Sequence, residues 1–81
     1  MTDTEIASKV KEIICTILKV SQDAITEETA IGDLPQWDSL HHLQIITALE
    51  KNFNFRFTPD VMMELEDVSD LIAATTERAS L

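Results

Sequence analysis

The sequence predicts an all-α fold: a small four-helix bundle of three longer helices plus one short third helix, with a long loop between helices one and two. Three observations predict it. Apolar residues recur at spacings of three and four in separate segments. The one stretch with strand-like alternation, Phe53, Phe55 and Phe57, has no second strand to pair with. A chain of 81 residues holds one domain, 1–81 with its core at about 4–77, and has no room for a second.

The first helix carries Ile6, Val10, Ile13, Ile14, Ile17 and Leu18 as one stripe. Thr2 or Thr4 caps its start, Asp3 and Glu5 suit the positive end of its dipole, and it stops near Lys19 or Val20. Ser21 to Trp37 reads as a long loop rich in turn and cap formers. Ala24, Ile25, Ala30, Ile31 and Leu34 would pin it to the core, and a short helical turn fits inside it. A loop of this length in a compact domain is usually functional. The second helix starts at Asp38 or Ser39 and runs to about Asn52 or Phe53. Its stripe is Leu40, Leu43, Ile46, Leu49 and Phe53, widened by Ile45 and Ala48. Thr58-Pro59 opens the short third helix, with Thr as cap and Pro at the first position, and Val61, Met62 and Leu65 face inward. Asp67 caps the last helix, whose stripe is Val68, Leu71, Ile72 and Thr75; the tail is expected to fray from about Arg78. Helices of this kind bury their stripes against one another.

Composition narrows the function classes. Hydrophobic residues make up 44% of the chain, enough for a compact core. The net charge of −9 argues against nucleic acid and against an anionic membrane surface, and favours basic patches on protein partners. No apolar run reaches membrane-spanning length. The single cysteine, Cys15, cannot form an internal disulfide and reads as a partly buried structural thiol. The chain reads as a cytoplasmic monomer, and at this size a deep, self-contained active site is hard to build.

Trp37-Asp38-Ser39-Leu40 is the segment that carries chemistry. A hydroxyl at the start of a helix is exposed on a rigid element, and the first amide N–H groups point at any anion attached to it. Asp38 beside it could hold a metal ion or proton during attachment. Read alone, Asp38 and Ser39 are the usual helix caps. Trp37 would cover the top of the bundle, its ring against Leu40 or loop residues.

Asp38-Ser39-Leu40 resembles the phosphopantetheine attachment motif "DSL" of acyl carrier proteins. Leu43, Ile46, Ala48-Leu49-Glu50 and Phe53 fall where that family keeps its apolar second helix and "ALE…F" ending. Phe57 precedes the third helix, and Leu65, Val68 and Ile72 fall on the family's last core positions. The resemblance implies that Ser39 bears a covalent 4'-phosphopantetheine donated by coenzyme A, with Asp38 and Leu40 flanking it. It implies a phosphopantetheinyl transferase, an acyl-loading ligase or transferase, and a ketosynthase or other pathway enzymes as partners. It also implies acyl cargo held as a thioester for fatty-acid, polyketide or other secondary-metabolite synthesis. Where cargo folds between the helices, Met62, Leu49, Ile46 and Ile72 are the lining candidates, although each taken singly reads first as ordinary core packing.

The chain departs from the family in one respect. The family's second helix shows acids to basic partner enzymes, but between Ser39 and Phe57 the only acid here is Glu50, against Lys51 and Arg56. This points to a specialised member rather than the bulk fatty-acid one. His41 and His42 point about 100° apart and read as two solvated surface histidines. His42 shares the face of Ser39, but a hydrolytic Ser39/His42 pair lacks a third member. Three other readings remain. A peptidyl or aminoacyl carrier would show glycines before the serine, where Gln36-Trp37-Asp38 stands. An acidic helical interaction module without a prosthetic group would leave Ser39's position a coincidence. A calcium sensor would need ligand spacing that Asp23, Glu27, Glu28 and Asp33 do not supply.

Overall fold

The structure, a computed structural model, describes residues 2–79. Four helices follow one another: α1 (Asp3–Leu18), α2 (Ser39–Phe53), α3 (Pro59–Glu64) and α4 (Val68–Ala79). A 3-10 turn, Gln22–Ala24, is the short helical turn expected inside the long loop. Among the described residues there is no strand, only an isolated antiparallel bridge between Ala30 and Asp67. The radius of gyration is 11.5 Å.

α1 is the centre of the bundle and packs against both α2 and α4. Of its predicted stripe, Ile6, Val10, Ile13, Ile14 and Leu18 are buried and Ile17 is half-buried. Each fully buried aliphatic chain contributes about 1.5–3 kcal/mol. Thr2 caps the start: its hydroxyl accepts from the Glu5 N–H, and the Glu5 carboxylate accepts from the Thr2 N–H. These bonds, the one to the Thr2 backbone first and to its hydroxyl second, hold the Glu5 carboxyl below its ordinary range. Lys19 ends the helix with φ 59°, a left-handed conformation that sends the chain back across the bundle.

Two loops are sewn together. The Ile31 N–H donates to the Glu66 carbonyl, the Val68 N–H to the Thr29 carbonyl and the Ser69 N–H to the Glu27 carbonyl, each at 2.9 Å. The long loop is thereby fixed to the α3–α4 link. Gly32 turns with φ 92° and donates its N–H to the Trp37 carbonyl at 2.9 Å, while the Asp33 carboxylate accepts from the Ala30 N–H. Ile25 is buried, and Ile31 and Leu34 pack on the core as expected. Ala24 does not: it lies exposed on the 3-10 turn.

The caps of the short helices follow the sequence. Thr58 accepts from the Val61 N–H ahead of Pro59, and Asp67 accepts from the Asp70 N–H at 2.7 Å. Leu65 is buried but stands just past the end of α3. Phe55 and Phe57 meet edge to face with centroids 4.7 Å apart, closing the end of the bundle. Of the tail expected to fray from about Arg78, Arg78 and Ala79 are still part of α4. Ser80 and Leu81 lie outside the described residues. The buried hydroxyl of Thr75 has no hydrogen-bond partner among the described residues.

Candidate functional site

The start of α2 is where loop, helix and solvent meet. Asp38 is extended and caps the helix, accepting from the His41 N–H at 2.9 Å; its Oδ1 also lies 2.7 Å from the His41 ring Nδ1. Hydrogen bonding from the His41 backbone, and next from its ring, holds the Asp38 carboxyl below the ordinary carboxylate range. Asp38 is therefore ionised at neutral pH, with its charge turned into the helix end. Ser39 is the first helical residue and is exposed. The N–H groups of this first turn have no partner earlier in the helix. The His41 N–H among them is taken by the Asp38 carboxylate, which leaves those of Ser39 and Leu40 to favour an anion at this end of α2. A phosphodiester on the Ser39 hydroxyl fits that environment, because the adjacent carboxylate is already satisfied by His41.

A buried polar staple supports this end of the helix. Trp37 is fully buried, and its indole N–H donates to His42 Nδ1 at 3.0 Å. On the other side of the ring, His42 Nε2 lies 2.9 Å from the Leu65 carbonyl. An indole nitrogen only donates and a carbonyl only accepts. In this arrangement His42 Nδ1 accepts and Nε2 donates. One side chain thus ties the loop end, α2 and the end of α3 into a single unit just behind Ser39.

This corrects two expectations. His42 is not a solvated surface histidine, and with both ring nitrogens engaged it neither reaches a phosphate nor pairs with Ser39. His41 does lie at the surface, where its ring meets Asp38. A tryptophan buried at a loop end needs an acceptor for its N–H, and that need is the one sequence signal that could have singled out His42. Nothing in the sequence pointed to the Leu65 carbonyl.

The expected stripe of α2 also divides. Ile45, Ile46 and Leu49 are buried, and Ala48 and Phe53 pack on the core. Leu40 and Leu43 face outward, 63% and 55% exposed. Trp37 is fully buried, as expected of a residue covering the bundle, with its ring 5.8 Å from that of His42. Of the four candidates for lining an internal cargo space, Ile46 and Leu49 are core residues, and Met62 and Ile72 are half-buried at the core's edge. Core packing accounts for all four. Glu50 accepts from the Phe57 N–H at 2.8 Å, which ties its carboxylate to the link before α3. Cys15 is buried, and that burial pushes its thiol pKa up, so the thiol stays protonated and inert. Among the described residues no three His, Cys, Asp or Glu side chains gather as metal ligands, and no helix is long and apolar enough to cross a membrane.

A family model described as the phosphopantetheine attachment site matches residues 8–75. The chain is similar to an acyl carrier protein of Akkermansia muciniphila, with 30% identity over 73 residues covering 90% of this chain and 91% of the relative. It is also similar to an acyl carrier protein of Petrotoga mobilis, 27% identical over 81 residues, covering 100% of this chain and 95% of the relative. A shorter match, 37% identical over 43 residues and about half of each chain (53% and 51%), is to the polyketide-8 synthase acyl carrier protein 1 of Streptomyces avermitilis.

Proposed function

This chain belongs to the phosphopantetheine-attachment family and is an acyl carrier protein with a covalent 4'-phosphopantetheine, and we propose that Ser39 is the residue that bears it. One observation carries the reading: within the matched segment, Ser39 is an exposed hydroxyl on the open first turn of a 15-residue helix. The arm supplies a terminal thiol that holds an acyl group as a thioester. The chain's own part is to present and tether it. The amide groups of α2 stabilise the phosphodiester, the His41-bound Asp38 fixes the turn, and the Trp37–His42–Leu65 staple keeps the platform rigid. Tethering raises the effective concentration of the cargo at each partner's active site.

The chain's part is that of a carrier which leaves the chemistry to its partners, and His42, with both ring nitrogens engaged, is no general base for Ser39. Its partners are a phosphopantetheinyl transferase, an acyl-loading ligase or transferase, and a ketosynthase or related enzyme. A dedicated pathway suits it better than bulk fatty-acid synthesis, because α2 presents no free acid. The cytoplasm suits a chain whose one cysteine is a buried thiol.

The test is intact mass after incubation with coenzyme A, magnesium and a broad-specificity phosphopantetheinyl transferase. The wild type is expected to gain one phosphopantetheine and Ser39→Ala none. A gain in Ser39→Ala, or no gain in folded wild type with several transferases, removes Ser39 from this role.

A further inference from the structure

The outer face of α2 carries more than the attachment site. Leu40 and Leu43 stand on it largely exposed, one turn apart. With Gln44, Thr47, Ala48 and Lys51 they line a groove of about 360 Å³. A second hollow of about 590 Å³ follows, lined by Thr47, Glu50, Lys51, Asn54, Phe55 and Arg56. The two share Thr47 and Lys51, so they form one trough. It starts one residue beyond Ser39 as an apolar groove and ends at two cations roughly 16 Å further along the helix.

Its charge is opposite to that of the rest of the chain. Glu50 is the one acid in its lining, and that carboxylate is bonded to the Phe57 N–H at 2.8 Å. Among the described residues neither Lys51 nor Arg56 lies within ion-pair distance of a carboxylate. Fourteen of the fifteen acids lie outside residues 39–57. Scattered exposed leucines need no explanation. Two leucines continuous with a groove, beside the attachment site and leading to unpaired cations, define a surface with apolar and charge requirements.

We propose that this trough docks a partner protein through an apolar side chain flanked by carboxylates, the reverse of the basic patch that an acidic helix would select. The apolar side chain sits between Leu40, Leu43 and Ala48, and the carboxylates meet Lys51 and Arg56. A basic patch gains nothing there and is repelled at the distal end. The proposal rests on the reading of Ser39, since the trough matters to a partner that also reaches the arm.

The probes are two helical peptides with the same leucine-and-phenylalanine face, one flanked by glutamates and the other by lysines. Each is titrated into the isotope-labelled, phosphopantetheine-loaded chain, and backbone amide resonances are followed. The glutamate peptide is expected to shift Leu40, Leu43, Thr47, Lys51 and Arg56 and to bind about tenfold tighter than the lysine peptide, with the difference shrinking as salt is raised. Lys51→Glu with Arg56→Glu should invert the preference, and Leu43→Asp should weaken both peptides. Preference for the lysine peptide, shifts confined to other faces, no binding by either, or a glutamate preference that survives the charge reversal overturns the proposal. So does sedimentation showing that the trough is filled by a second copy of the chain. The same titration on unloaded chain separates the two readings: failure to load sinks Ser39 as the attachment site and leaves the trough's preference still measured.

Discussion

α1 and α2 are nearly equal in length, 16 and 15 residues, and both carry apolar residues at helical spacing, yet they use them differently. In α1 almost every apolar side chain is buried, because the helix lies between α2 and α4 and has neighbours on both flanks. In α2 the buried residues are the middle ones, Ile45, Ile46 and Leu49, while Leu40 and Leu43 are left to solvent. The first turns of α2 are instead held from within by Trp37 and His42. An apolar stripe therefore predicts which residues can be buried. Only the positions of the neighbours decide which ones are.

The comparison predicts very unequal costs for similar substitutions. Ile14→Ala empties a fully buried site in α1 and should cost about 2–5 kcal/mol in urea unfolding. Leu43→Ala on α2 should stay within about 0.5 kcal/mol. Equal costs would mean that the outer face of α2 is packed after all. Trp37→Phe tests the staple. It leaves His42 Nδ1 without its donor, at about 1–3 kcal/mol, before any loss of packing by the smaller ring. A His42 ring resonance that does not move in this variant would remove the bond from the account.

The smallest effect concerns the cap. The Asp38 carboxyl is held below its ordinary range in the folded chain. It therefore stabilises the fold above the ordinary carboxylate pKa, and that contribution is lost as pH falls through the lowered folded value. Asp38→Asn keeps a good cap residue but has no charge to lose. The variant is expected to show a shallower fall of melting temperature with acid than the wild type. Identical acid profiles would show that the His41 contacts add nothing at this exposed site.

The staple and the sewn loops also show where sequence reading stops. Thr58-Pro59 and Asp67 could be read as helix starts because capping is local chemistry within three residues. Segment 37–40 was legible in the same way as a loop ending at a helix start, whereas its reading as the proposed attachment segment came from its resemblance to a family motif. The short 3-10 turn was expected, although Ala24 on it points outward rather than into the core. The role of His42 was not legible, because its second partner, the Leu65 carbonyl, lies 23 residues away. The α3–α4 link meets the long loop through three backbone bonds and a bridge, and backbone groups leave no mark in residue type.

The helices, their caps and the exposed hydroxyl of Ser39 follow from propensity, periodicity and neighbours along the chain. The tertiary structure alone decided that Leu40 and Leu43 face solvent, that Glu50 is tied to Phe57, and that His42 is an internal strut. Those outcomes depend on which surfaces meet in space, and a helical stripe wider than its neighbours can cover leaves its remainder exposed.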